Sequence, residues 1–169
     1  MKDFYELFIK ELKDIYNAER QIVHALPEMA KRAHAANLKH ALHGHLQESK
    51  KQVERLKKIA KEINEDLKGP ENEVIKSLIR EGQKIMKTHY DPVVKDAALI
   101  NLIQHIKHYE IASYGSLKAF AKQLKLPHVH KLFYESSKEE GHANKSLTAI
   151  AEGHFFKVGI NDKACKKCA

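Results

Sequence analysis

Apolar residues recur along most of this chain at intervals of three and four, the spacing that gives a helix one oily face. Between Asp96 and Leu124 the stripe passes through Leu99, Ile103, Ile106, Ser113, Leu117 and Ala121, with a carboxylate, Glu110, in its middle. The arrangement repeats near the start of the chain, where Phe8, Leu12 and Ile15 precede Glu19 and Ile22, Leu26 and Ala30 follow it. Glu110 lies 91 residues after Glu19, and the same offset pairs Leu38 with Val129, Leu42 with Phe133, Leu56 with Leu147, Ile59 with Ile150 and Glu48 with Glu139. Each half thus carries two glutamates 29 residues apart, all expected to face inward, as in a duplicated helical hairpin.

The punctuation predicts where the helices begin and end. A first helix runs from about Asp3 to the His34 region, with a kink expected before Pro27. A second, capped by Asn37, extends to about Asp66 and turns Leu38, Ala41, His45, Glu48, Gln52, Leu56 and Ile59 inward. Gly69-Pro70 ends that hairpin, and Glu71 to Thr88 forms a shorter amphipathic crossover. Asp91-Pro92 opens the third long helix and Pro127 the fourth, which reaches about Glu152. The fold class is therefore all-α, a ferritin-like four-helix bundle with an additional crossover helix. The bundle is expected over residues 1–153 and a tail over 154–169. In the tail, Phe155, Phe156, Val158 and Ile160 are expected to fold back, with disorder beyond Asn161.

Four unneutralised carboxylates in one core would lose their hydration and repel one another, so they require positive company. Di-iron and di-manganese bundles meet that need with one inward Glu per helix and His a turn away. The candidate ligands are Glu19, Glu48, Glu110 and Glu139, with His142 completing a Glu-x-x-His spacing and His45 the nearest imidazole to Glu48. Only one of Glu139 and Glu140 can face the centre, and the repeat favours Glu139. Two metal ions are expected, iron first, with manganese or zinc as alternatives, and a small oxidant such as peroxide or dioxygen as reactant. The competing reading is that Lys or Arg neutralises the four carboxylates across the core. Tyr114, one turn beyond Glu110, is placed to hydrogen-bond a ligand, whereas His108 falls on the far side of its helix.

Charge and cysteines alter this little. The formal net charge of +8 admits nucleic acid as a partner, but the lysines are spread over solvent faces and not gathered with aromatic residues. Cys165 and Cys168 form a lone CxxC in a lysine-rich tail, too few ligands for a structural zinc site. The start, MKDFYELFIKEL, mixes charged residues among its apolar ones and is no secretory signal. No run approaches the ~20 apolar residues of a membrane span, so a cytoplasmic protein is expected.

The strings LKDIYNAERQIVHALPEM, HLQES followed by VERL, and DAALI followed by HYEIASYGSLKAFA resemble the YciE/YciF family of bacterial ferritin-like stress proteins, over roughly Phe4 to Ala151. The resemblance implies a rubrerythrin-like bundle, a homodimer and expression under stress, without an established activity. Glu19, His45, Glu48, His108 and Glu110 match residues typical of the family. The family usually has His where this chain has Gln52, and usually lacks His at the position of His142.

Overall fold

The computed structural model describes residues 3–154 and 157–166. Five helices build the body: α1 (Phe4–Arg32), α2 (Ala36–Glu62), α3 (Glu73–Lys87), α4 (Pro92–Gln123) and α5 (Pro127–Glu152). A two-residue antiparallel pair, β1 (Gly153–His154) with β2 (Lys157–Val158), and a short helix, α6 (Ile160–Cys165), follow.

Local chemistry sets the ends. The side chains of Asp3, Asn72 and Asp91 accept from the free N–H groups of Glu6, Ile75 and Val93, capping α1, α3 and α4. Pro92 and Pro127 stand in the first turns of α4 and α5, where a missing N–H is harmless. α1 continues through Pro27. α2 and α4 stop at Asn64 and Lys125, both with φ of 56°, and the N–H groups of Glu65 and Leu126 return to Ala60 and Ala121. Asn37 is not the cap expected of it: it lies inside the first turn of α2, whose N-cap, Ala35, makes no side-chain hydrogen bond.

That uncapped start is tied down from another helix. Buried Asp96 on α4 accepts from the backbone N–H of His34 (2.8 Å) and of Ala35 (2.7 Å), clamping the α1–α2 connection to the second hairpin. Each such charge-assisted bond contributes about 1.5–3 kcal/mol. Asp96→Ala is therefore expected to destabilise the protein by about 3 kcal/mol, and thermal melts at neutral pH would lower Tm by roughly 10 °C.

Contacts between helices establish the bundle. α1 and α2 form one antiparallel hairpin, α4 and α5 the other. α1 packs antiparallel on α4, with Phe4 against Phe120 at one end and His34 against Asp96 at the other; between them Tyr109 donates to Asp14 and Tyr114 to Glu19. α2 packs antiparallel on α5, where Gln52 and Arg55 reach Glu139 and Glu62 meets His128. The crossover α3 lies against α1 and α4, its start tied by Asn72 to Asp14 and Tyr109. Gly82 permits that approach, since a Cβ there would stand 2.7 Å from Leu102 and 2.8 Å from Met29.

Part of the tail follows its expectation: Ile160 folds back and is buried against the core. α6 then continues past Asn161, where disorder is expected, because that anchored turn carries it on to Cys165. Val158 faces solvent instead of packing, and Phe155, Phe156 and Cys168 lie outside the described residues. Cys165 is exposed and free. Among the described residues, no helix is long and apolar enough to cross a membrane.

Candidate metal centre

The four long helices converge on a polar cluster inside the apolar core. Each presents a stripe that steps by four and three residues. On α2 it is Leu38, Leu42, His45, Ser49, Gln52, Leu56 and Ile59; on α5 it is Val129, Phe133, Ser136, Glu140, Leu147 and Ala151. On α1 Glu19 takes its place in the stripe, and on α4 the run is Ile103, Lys107, Glu110, Tyr114, Leu117 and Ala121. Glu19, Glu110, Glu140 and Lys107 are all 0% exposed.

Lys107 is the organising charge. Its Nζ donates to Glu140 Oε2 and stands 3.1 Å from Glu110 Oε2. Glu110 Oε2 also lies 3.7 Å from His45 Nε2. Gln52 Nε2 donates to Glu140 Oε1 (2.7 Å), and Tyr114 Oη donates to Glu19 Oε1 (2.7 Å), the role its position beyond Glu110 predicts. Several buried atoms are left without a hydrogen bond: Glu19 Oε2, both oxygens of Glu110, both nitrogens of His45, Ser49 Oγ and Gln52 Oε1. Glu110 Oε2 has Lys107 at ion-pair distance, although not in hydrogen-bond geometry, so Glu110 Oε1 and the His45 nitrogens are the more telling orphans.

One ammonium cannot balance three buried carboxylates, and protonation takes up the excess. Burial, then the charges of Glu110 and Glu140, hold the Glu19 carboxyl well above the usual range. Burial and the neighbouring Glu110 push Glu140 up to about 7. Burial also opposes the Lys107 ammonium, but Glu110 and Glu140 more than offset it and its pKa rises. His45 is driven well below its ordinary value by burial and by Lys107, so it is a neutral imidazole.

These shifts fix the sign of a pH effect. A carboxyl whose folded pKa lies above its unfolded value binds more protons in the native state, so its contribution is complete below about 4.5 and lost as pH rises through 7. His45, with a depressed pKa, opposes this as pH falls through its unfolded value near 6.5, and so takes back only part of the gain above it. Between pH 8 and pH 6.5, then, protein stripped with chelator is expected to gain about 1 kcal/mol on acidification from Glu140 alone. Denaturant melts across that window test it; a flat or falling stability on acidification contradicts it.

The expected ligands are only partly brought together. Glu19, Glu110 and His45 enter the interior. Glu139 does not: Arg55 grips both its oxygens (2.8 and 2.9 Å), holding its carboxyl below the usual range despite burial. Glu140, one residue on, occupies the inward position because it continues the stripe of Phe133 and Ser136. Glu48 is half-buried beside a cleft and His142 is exposed, so the Glu-x-x-His spacing does not form an interior pair. The 91-residue repeat survives with its inward member shifted by one, since Ser49 and Glu140 are buried and also 91 residues apart.

Side-chain donors of His45, Glu110 and Glu140 all lie within 4.8 Å of one another. One imidazole nitrogen and carboxylate oxygens are the donors that iron, manganese and zinc accept. Buried together without hydrogen-bond partners on the His45 nitrogens, these three side chains form a group that could hold a metal ion.

A family described as a domain of unknown function (DUF892) matches residues 3–158. The chain belongs to this family. Protein YciF of Escherichia coli (strain K12) is 36% identical over 162 residues, covering 95% of this chain and 98% of YciF. The crystal structure of the E. coli stress protein YciF superposes with a TM-score of 0.85 at 36% identity, covering 88% of this chain and 94% of that one. YcfI from Rhodopseudomonas palustris gives a TM-score of 0.86 at 35% identity, covering 89% and 96% of the two chains. A Xanthomonas campestris protein at 18% identity and a TM-score of 0.75 shares the fold alone. The YciF likeness carried by the α1, α2 and α4 motifs thus extends over most of the DUF892 chain.

Proposed function

We propose that this chain is a stress-response protein that binds a divalent metal ion, iron first and manganese or zinc as alternatives, at His45, Glu110 and Glu140. The observation that carries the reading is the buried donor group itself, a neutral His45 with neither nitrogen hydrogen-bonded beside carboxylate oxygens of Glu110 and Glu140, all within 4.8 Å of one another. The geometry supports one ion in place of the two expected, because Arg55 engages Glu139 and His142 is exposed. A bound iron or manganese would supply one-electron chemistry toward peroxide or dioxygen.

The protein's own contribution is positioning. Gln52 orients Glu140, and Tyr114 holds Glu19 beside the centre as a further carboxylate. Leu42, Ile103 and Ile106 keep the surroundings apolar, which strengthens every charge interaction inside. Lys107 supplies the positive charge when no ion is present. The stress role follows the YciF likeness, and a cytoplasmic homodimer is proposed with it.

Untagged protein is to be assayed for iron, manganese and zinc per chain, then followed by absorbance on adding peroxide. The expected result is about one ion per wild-type chain, at least a tenfold lower content in Glu110→Ala of unchanged helical circular dichroism, and a peroxide-dependent spectral change. Wild-type protein that takes up no metal after reconstitution would falsify the reading.

A further inference from the structure

Between α2 and α5 a cleft of about 480 Å³ descends from exposed His142 to buried His45 and Lys107. Its walls are otherwise largely apolar, with Glu48 half-buried on the α2 side and Ala143 on the α5 side. Glu48 senses the charges of Lys107, Glu140 and His142, so it stands electrically between the mouth and the floor. Gly44 also lines the cleft, and a Cβ built there would meet nothing within 4 Å. Glycine inside a helix weakens it by roughly 0.5–1 kcal/mol, and here no neighbour approaches closely enough to require it. A side chain at this position would enter open space, so the wall can be built out from it without a clash.

The floor decides what passes. Three carboxyl groups and a neutral imidazole are buried there beside one ammonium, donors that a divalent cation can take over from the protons and the ammonium and that an anion cannot use. Resting on the metal reading above, we propose that this cleft is the port by which a divalent cation reaches His45, Glu110 and Glu140, with Glu48 and His142 passing it inward and Gly44 keeping the way clear. Lys107 borders both the port and the centre, so an ion arriving by this route meets the ammonium it must displace.

The test is the rate at which metal-free, full-length protein takes up Co²⁺, followed by stopped-flow absorbance, with cobalt per chain measured at the end. Gly44→Phe and Ala143→Leu fill the passage from opposite walls without touching a ligand, and Gly44→Phe removes a helix-weakening residue. Either plug is expected to slow uptake at least about tenfold while reaching the wild-type end point. Glu48→Gln is expected to slow it about tenfold and to flatten its dependence on ionic strength, since steering by a charged mouth is screened by salt. If both plugs load at the wild-type rate to the wild-type end point, the port is refuted and the metal centre stands. If wild type binds no cobalt, the metal reading falls and takes the port with it.

Discussion

Lys107→Met lowers the Tm of metal-free protein at pH 8 by about 10 °C and tightens its binding of Mn²⁺ at least about tenfold. The two effects share a cause. Removing one partner of a buried ion pair typically costs 3–5 kcal/mol, because the remaining charge keeps its desolvation penalty and loses its compensation. Here the residues left behind are Glu110, Glu140 and Glu19, all wholly buried. They respond by taking up protons, so the variant should recover part of its stability as pH falls from 8 toward 6. A divalent ion no longer has to displace an ammonium that donates to Glu140 and sits 3.1 Å from Glu110. Added Mn²⁺ should therefore raise the variant's Tm more than that of wild type, as linkage requires of a tighter ligand. Calorimetric melts with and without Mn²⁺ check both parts; a variant as stable as wild type at pH 8 and indifferent to manganese contradicts them.

Two adjacent glutamates should behave as opposites. Glu140→Gln lowers Mn²⁺ affinity at least about 100-fold, the scale expected when a metal ligand or its support is lost. Its metal-free form should be no less stable than wild type at pH 8, since Glu110 is relieved of a repelling neighbour and still has the Lys107 ammonium 3.1 Å away. Glu139→Gln, by contrast, leaves the ion in place and loosens the α2–α5 packing, because it halves a bidentate clamp from Arg55 that also reaches Ser136. A partly exposed pair of this kind contributes on the order of 1 kcal/mol. Isothermal titration with Mn²⁺ separates the cases, and equal losses in the two variants would contradict the assignment.

The helical frame was legible because its signals are local or strictly periodic. The Asp91-Pro92 start, Pro127 and the Gly69-Pro70 break place the long helices to within a few residues. The repeat also marks Glu19 and Glu110 as interior charges, and the helical spacing from Glu110 places Tyr114 to hydrogen-bond a ligand. Choosing between neighbours was harder. Successive helical residues point ~100° apart, so a stripe read as 41, 45, 48 and 52 differs little on paper from one read as 42, 45, 49 and 52. The second is the stripe α2 buries, and the matching choice on α5 is Glu140. Lys107 stands three residues before Glu110 and four after Ile103, squarely on the buried stripe, but lysine's strong preference for solvent gives a sequence no reason to place it inside. Asp96 could be located only with α1 and α4 in place, since its partners are backbone N–H groups about 60 residues away.

The central claim is that one interior position accepts either the Lys107 ammonium or a divalent metal. Crystals grown with Mn²⁺ and measured at a wavelength where manganese scatters anomalously address it most directly. The expected map shows one strong anomalous peak bounded by His45, Glu110 and Glu140, with the Lys107 ammonium withdrawn from between Glu110 and Glu140. A map in which manganese lies elsewhere, or nowhere, and Lys107 still joins those two carboxylates would contradict it.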